Sequence, residues 1–232
     1  MMIKKYIASL ALGLVLVGSA GAQIISQWTF ETSAPTTAGP VSPEVGSGSA
    51  LSTTGGTFTS PVGDGSSKSW SSNGWDVGDY FQFQVSTATF SSIYLIWDQT
   101  GSNSGPRDFS LQYSTDGSSF TAFGTYSVIP NNSPNIWGSS SYVSAAQVAF
   151  DLSSITAINN QTTVYFRLID TSTVSTNGGT VAVAGSSRID NFTVSQGFVS
   201  ITPVPEPQEY AVCVAGLLGL VIFMMRRRRN AV

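Results

Sequence analysis

The sequence predicts an all-β protein built as an antiparallel β-sandwich. Short runs of aromatic and β-branched residues recur from residue 24 to residue 201, separated by Gly, Ser, Asn, Asp or Pro. No stretch of this region shows the 3.6-residue periodicity of an amphipathic helix. Strands that follow one another through turn-like loops favour a sandwich over a parallel sheet, which would need crossover helices.

The sequence predicts eight to ten strands, and two runs show how they are recognised. In 79–85 (DYFQFQV), Phe81, Phe83 and Val85 alternate with polar residues, as expected for a strand with one buried face. The run 93–97 (IYLIW) is apolar on both faces and predicts a central strand. The predicted strands cover 24–30, 79–85, 93–97, 109–113, 146–152, 163–169, 180–184 and 189–195.

Turn chemistry predicts where the chain reverses or leaves the sheets. Thr115-Asp116-Gly117 follows the 109–113 strand and predicts a hairpin, because glycine tolerates positive φ. The stretches 32–56 and 130–141 hold few large apolar residues, so both are predicted surface loops.

The N-terminus has the pattern of a signal peptide. Lys4 and Lys5 precede an apolar run at 7–17, and Ala20-x-Ala22 before Gln23 is the small-residue pattern that signal peptidase accepts. A retained N-terminal anchor is the alternative, but the apolar run is short and ends in small residues. We therefore expect export and cleavage after Ala22, which leaves 1–22 as the signal peptide.

Composition excludes several classes of function. Between residues 23 and 203 there are four basic and eleven acidic side chains, a net charge of about −7, which disfavours nucleic-acid binding. The chain has no histidine, so imidazole-based catalysis and imidazole zinc sites are excluded. The only cysteine, Cys213, has no partner for a disulfide within the chain.

The C-terminus has three parts in a fixed order. A proline-bracketed acid comes first, an apolar run at 210–225 second, and four arginines third. Sixteen residues of helix reach about 24 Å, just short of the roughly 30 Å hydrocarbon core, and arginines beyond such a helix favour a cytoplasmic C-terminus. These features divide the chain into 1–22, the β-sandwich domain 23–200, the linker 201–209, the transmembrane helix 210–225 and the basic tail 226–232.

This tail resembles the sorting signal of PEP-CTERM proteins. The residues that carry the resemblance are Val204, Pro205, Glu206, Pro207, Arg226, Arg227, Arg228 and Arg229. The resemblance implies processing by an exosortase, a membrane protease, with the protein held in the membrane until then. A plain single-pass membrane anchor is the alternative.

The body also resembles a family type. The segments "WTFE", "DYFQFQV", "VYFRL" and "RIDNFTV" resemble the jelly-roll bodies of PEP-CTERM proteins, which are broadly similar to carbohydrate-binding modules. The resemblance implies a jelly roll and an exported cell-surface or extracellular-matrix protein that associates with polysaccharide. The alternative functions are a secreted glycan-active enzyme and a membrane-anchored carbohydrate-binding protein.

Two sets of acids are candidate calcium ligands. In carbohydrate-binding modules of similar shape, acids from the first and last strands hold a structural Ca²⁺, which implies Glu31 and Asp190 here. The alternative is that Asp190 pairs with Arg188 or Arg167 while Glu31 is solvated. Asp64, Asp76 and Asp79 form the second set, although acids next to glycines are more often turn residues.

Aromatic residues in polar loops are candidate sugar-binding residues. Trp70, Trp75 and Trp137 lie in Ser/Gly/Asn-rich stretches, where rings can stack on sugars; the alternative is that they fold back to cap the sandwich. Asp98 and Asp108 could face each other across a loop as a hydrolytic pair, but no cleft-forming sequence surrounds them. We therefore predict no catalytic residues and a non-enzymatic protein.

Overall fold

The computed structural model describes residues 22–200. The predicted signal segment lies outside this range except for Ala22, as do the Pro-Glu-Pro motif, the apolar run, Cys213 and the arginine tail. Within the described range no helix combines the length and apolar character needed to cross a membrane.

The described residues are strands, loops and two single-turn 3₁₀-helices, which confirms the all-β prediction. The helices are Ser144–Ala146 and Thr156–Ile158. The strands in chain order are β1 (Gln23–Trp28), β2 (Val45–Gly46), β3 (Gly48–Ser52), β4 (Phe58–Thr59), β5 (Trp70–Ser72), β6 (Tyr80–Val85), β7 (Ile93–Gly101), β8 (Asp108–Ser114), β9 (Thr121–Ser127), β10 (Ile129–Pro130), β11 (Gln147–Asp151), β12 (Val164–Asp170) and β13 (Ser187–Gln196).

The strands form two sheets. The eight-stranded sheet runs β10-β7-β13-β1-β2, with β11 also on β7, and β5 on β13 followed by β4. The five-stranded sheet runs β3-β6-β12-β8-β9. All pairs are antiparallel except the short β10–β7 pair. The first and last strands pair directly, and β7 is central.

Aromatic side chains from both sheets fill the space between them. The Phe192 ring of β13 stacks on the Phe83 ring of β6, with centroids 3.5 Å apart, and the Trp28 ring meets Phe83 edge-on at 5.1 Å. All three side chains are fully buried. Both sheets and this core lie within residues 22–200, so the domain has what it needs to fold without the terminal segments.

Two sequence predictions are wrong in detail. The stretch 32–56 is not only a loop, since it contains β2 and β3. The sequence pattern did not show β3 because its residues are small. A Cβ at Gly48 would lie 2.9 Å from the Trp28 ring, so the strand has no room for a large residue there. The stretch 180–184 is not a strand; Thr180 makes an isolated bridge to Val174, and the backbone beyond it bonds to loops instead of a neighbouring strand.

Candidate functional site

The outer face of the five-stranded sheet carries aromatic and polar side chains in register. In β6 and β12 the core residues alternate with outward residues, and pairing places Gln82 beside Arg167 and Gln84 beside Tyr165. Apart from Gln82, which is buried, these side chains are half-buried, so they present part of their surface to solvent. We call this surface the aromatic face; it consists of Tyr80, Gln82, Gln84, Gln112, Phe120, Tyr165 and Arg167.

Arg167 lies at the centre of the aromatic face. Its guanidinium carbon is 4.1 Å from the centroid of the Tyr80 ring and 3.5 Å from that of Phe120. Its Nε donates to Oε1 of Gln82 at 2.7 Å, and Gln112 is its register partner on the other side. Two cation–π contacts and a hydrogen bond hold the guanidinium in one orientation.

The β8–β9 turn places Phe120 on this face. Oδ1 of Asp116 accepts hydrogen bonds from the backbone nitrogens of Ser118 and Ser119, both at 2.8 Å, and these bonds lower the pKa of Asp116 to about 2. Gly117 has φ +72°, and a side chain there would lie 3.0 Å from the Tyr165 ring. The predicted turn residues therefore build the edge of the aromatic face.

The chemistry of the face suits a ligand with an apolar side and hydroxyl groups at its rim. Exposed parts of aromatic rings pack against C–H surfaces, while amides and a fixed guanidinium hydrogen-bond to hydroxyls. The prediction from loop tryptophans missed these residues. The available signal was the identity of the outward residues in the alternating strands DYFQFQV and VYFRL.

The tryptophans that the sequence suggested as sugar-binding residues are buried. Trp70, Trp75 and Trp137 are 0%, 4% and 2% exposed. The Trp70 and Trp75 rings pack on Phe81 at 5.1 and 5.0 Å, and Nε1 of Trp75 donates to the carbonyl of Ser72 at 2.9 Å. The expectation that these rings are exposed is wrong. Trp70 and Trp75 fold back onto the core, as the alternative had it, and Trp137 is buried apart from that core, with its ring centroid 5.8 Å from the guanidinium carbon of Arg188.

A buried acidic cluster lies on the outer side of the eight-stranded sheet. A β-bulge in β13 creates it: Ile189 and Phe192 both face the core although they are three positions apart. The residues between them therefore leave the core side, and Asn191 takes φ +53°. Asp190 is the register partner of Asp98 in β7.

Loop residues cover these acids and complete the cluster, which we define as Asp64, Asp98 and Asp190. All three are fully buried. Oδ2 of Asp190 accepts from Oγ of Ser66 at 2.7 Å and from the backbone nitrogen of Asp64 at 3.0 Å. Oδ2 of Asp98 accepts from Nδ2 of Asn191 at 2.9 Å.

Burial dominates the electrostatics of the acidic cluster. It raises the pKa of Asp98 to about 7 and that of Asp64 to about 6, and it raises the pKa of Asp190 well above its usual range. Oδ1 of Asp64 accepts from the Val143 nitrogen at 2.7 Å, but Oδ2 is buried without a hydrogen-bond partner among the described residues. Burial therefore favours the neutral, protonated form of these acids, and one oxygen of the cluster lacks a hydrogen-bond partner among the described residues.

Glu31 and Asp190 accept hydrogen bonds from the same loop, at positions two residues apart. Oε1 of Glu31 accepts from the Lys68 nitrogen at 2.8 Å, whereas Asp190 accepts from Ser66. A side chain at Gly63 would lie 2.0 to 2.3 Å from Oγ of Ser66, Oδ2 of Asp190 and the carbonyl oxygen of Lys68, so three oxygens converge where this residue has no Cβ.

Oxygen atoms are the ligands that Ca²⁺ prefers. Among residues 22–200 no three acidic, histidine or cysteine side chains are arranged to hold a metal ion. The three oxygens near Gly63 are linked by hydrogen bonds, because Oγ of Ser66 lies 2.7 Å from Oδ2 of Asp190 and 3.1 Å from the carbonyl oxygen of Lys68. They fit a calcium ion only if these hydrogen bonds are exchanged for bonds to the ion.

The alternative arginine partners of Asp190 are not in contact with it. In the described part of the chain no ion pair joins Arg188 to Asp190, although their charges interact; the guanidinium of Arg188 donates to the carbonyl of Val62 at 3.1 Å. Arg167 belongs to the other sheet.

Asp76 and Asp79, two acids of the second candidate calcium set, form a turn. Oδ2 of Asp79 accepts a hydrogen bond from the backbone nitrogen of Asp76 at 2.9 Å.

The structure does not bring Asp98 and Asp108 together as a hydrolytic pair. Asp98 is buried in the eight-stranded sheet, whereas Asp108 begins β8 of the five-stranded sheet. Asp108 pairs with Arg107 at 2.8 Å, and this hydrogen-bonded pair lowers the pKa of Asp108 to about 2.

No protein-family model and no curated protein matches the chain. Similar solved structures include the K2 cleaved adhesin domain of Lys-gingipain, 15% identical over 74% of this chain and 97% of that chain, with a TM-score of 0.44. The CBM22-2 xylan-binding domain of Paenibacillus barcinonensis Xyn10C is 10% identical over 75% and 99%, with a TM-score of 0.44. TmCBM61 in complex with β-1,4-galactotriose is 11% identical over 73% and 94%, with a TM-score of 0.35. These similarities are too weak to carry a site or a function to this chain.

Proposed function

We propose that residues 23–200 form a non-enzymatic jelly-roll domain that binds polysaccharide through the aromatic face. The observation that carries this proposal is Arg167, clamped between the Tyr80 and Phe120 rings with side-chain amides on both flanks. A sugar ring matches this arrangement because it has an apolar C–H side and a rim of hydroxyls. A flat, partly exposed face suits one side of a long chain better than a small enclosed molecule.

A glycan-degrading enzyme is the competing proposal, and the acids argue against it. Glycoside hydrolysis needs two carboxyls on either side of the scissile bond, one of them with a raised pKa. Asp98 has the raised pKa but no exposed surface, and Asp108 is ion-paired on the other sheet. The aromatic face itself contains no acid.

Affinity electrophoresis of the domain in gels that contain neutral polysaccharides tests the proposal. Losing a stacking ring costs on the order of 1 kcal/mol or more, so Tyr80→Ala and Phe120→Ala should each weaken binding about tenfold. Phe198→Ala is the matched control, since Phe198 is an exposed aromatic ring that packs against Tyr94 of the other sheet.

Two results would overturn the proposal. One is retardation that survives loss of both face rings. The other is release of soluble sugar from the polysaccharide by the wild-type domain but not by Asp98→Asn or Asp108→Asn, which would make the protein an enzyme.

We further propose that the protein is exported and sorted by its two ends. The signal peptide would direct residues 23–232 across the inner membrane. The tail of Pro205, Glu206, Pro207, an apolar run and arginines would hold the protein in the membrane until an exosortase removes it. The cleaved domain would then reach the cell surface or the extracellular matrix. Intact-mass measurement of the mature surface protein should show both ends missing; retention of 204–232 would instead indicate a permanent anchor.

A structural Ca²⁺ ion at the loop joining Glu31 and Asp190 is the third part of the proposal. The ion would bind Oδ2 of Asp190, Oγ of Ser66 and the Lys68 carbonyl in place of the hydrogen bonds that now link these oxygens, and its charge would offset that of Asp190. Ca²⁺ in millimolar excess should raise the melting temperature of the domain above its value in EDTA, and Asp190→Asn should abolish the rise. Equal melting temperatures in the two buffers would refute calcium binding.

A further inference from the structure

Two clefts adjoin on the outer face of the eight-stranded sheet, on the opposite side of the sandwich from the aromatic face. Their volumes are about 280 and 380 Å³. Both are lined by Ser186 and Arg188, so they adjoin at the start of β13. One extends over β7 to Asn131 beyond β10, and the other extends over β5 to Thr59 on β4.

Strand register shows that the adjoining clefts follow one cross-strand row. Thr59 pairs with Ser71, Ser71 with Arg188, and Arg188 with Thr100. Neighbouring strands are about 4.8 Å apart, so this row spans roughly 14 Å across four strands. We call the row and its two clefts the Arg188 groove. It is long enough to hold an extended chain that crosses the strands.

The groove has one charge and it is positive. Among the described residues that line it, Arg188 alone is ionisable, and the others are polar or small. Asp190, whose charge interacts with Arg188, is fully buried and does not line the groove. Its guanidinium is fixed by the hydrogen bond to Val62 and lies 5.8 Å from the centroid of the Trp137 ring. A fixed guanidinium binds a carboxylate through two hydrogen bonds at little cost in side-chain entropy.

From this arrangement we infer that the Arg188 groove is a second glycan-binding site, selective for chains that carry carboxylates, such as polyuronates. The inference rests on the proposed polysaccharide binding and adds a second face and a ligand charge to it. The net charge between residues 23 and 203 is about −7, which repels a polyanion. Binding of an acidic chain would therefore have to come from local contacts with Arg188. With one site on each face, the domain would cross-link a neutral chain and an acidic chain.

The test compares polygalacturonate with its fully methyl-esterified form, because esterification removes the carboxylate charge and keeps the sugar backbone. The folded domain is run through gels with either polymer, without added calcium. We expect stronger binding to polygalacturonate, and Arg188→Gln should weaken it about tenfold, the usual effect of losing a charged hydrogen bond. Thr59→Glu, an exposed position in the row, should weaken it by charge repulsion without disturbing the fold. Thr156→Glu, an exposed threonine outside the groove, is the control of equal charge.

The outcomes separate this inference from the proposed function. Loss of polygalacturonate binding in both groove variants, with binding to neutral polymers intact, supports the inference. Binding to polygalacturonate that is unchanged by Thr59→Glu overturns it, whether or not Arg188→Gln folds. Equal binding to both polymers also overturns it but leaves the aromatic face in place. Failure to bind any polymer would remove the proposed function itself.

Discussion

Replacing Asp98 by asparagine should stabilise the folded domain at alkaline pH. Asp98 is fully buried, and burial raises its pKa to about 7 from an ordinary value of 3.8. The folded state therefore binds this proton more tightly than the unfolded chain does. Its contribution to stability is fully present below about pH 4 and is lost as the pH rises through about 7.

The magnitude follows from the size of the shift. About three pH units at roughly 1.4 kcal/mol per unit amount to about 4 kcal/mol, lost between acid and alkaline pH. Asparagine has nearly the same shape and still offers an oxygen to Nδ2 of Asn191, which lies 2.9 Å from Asp98. After some allowance for relaxation, we expect Asp98→Asn to raise the free energy of unfolding at pH 8 by about 2–4 kcal/mol, and to change it by under about 1 kcal/mol at pH 4.

Urea unfolding in EDTA, followed by tryptophan fluorescence, measures this difference. The method suits the domain because all five tryptophans are at most 4% exposed in the folded state. Asp76→Asn, at an exposed turn position, is the matched control and should change stability little at either pH. If Asp98→Asn is less stable than the wild type at pH 8, the Asp98 carboxylate is held as a charged, paired group and the reasoning fails.

Two further predictions concern packing. Phe83→Ala should lower the free energy of unfolding by about 3–5 kcal/mol, because removing a fully buried ring that contacts the other sheet leaves a cavity. A loss below about 1 kcal/mol, measured by urea unfolding, would contradict the described core. Gly63→Ala should destabilise the domain, because the new Cβ would lie 2.0 to 2.3 Å from three oxygens. Gly55→Ala is the control, since a Cβ there has no atom within 4 Å. Equal melting temperatures for the two variants would contradict the described packing around Gly63.

The sequence predicted the sheets well where one face is apolar. Phe81, Phe83 and Val85 alternate because their strand has one buried face, and the fully apolar run 93–97 is central in the eight-stranded sheet. The prediction failed for β3, in which Gly48 lies against the Trp28 ring and Ala50 is fully buried, so this strand lacks the large residues by which strands are recognised.

The candidate site was harder to predict because it depends on register. Gln82, Arg167 and Gln112 are far apart in sequence, and only strand pairing brings them into one row. The acidic cluster depends on the β-bulge next to Asp190, and no residue pattern in the sequence predicts that bulge. The prediction for Trp70, Trp75 and Trp137 failed because their polar sequence neighbours suggested exposed rings, whereas all three rings are buried.

The most direct test of polysaccharide binding by the aromatic face is an NMR titration of the ¹⁵N-labelled domain with a neutral oligosaccharide. If the aromatic face binds it, the largest chemical-shift changes fall on the backbone amides of Tyr80, Phe120, Tyr165 and Arg167 and on the side-chain amide of Gln82. The amides of β1 and β13 then keep their chemical shifts. Shifts confined to the opposite sheet or to the loop around Trp75, or no shifts with any polysaccharide fragment, would contradict it.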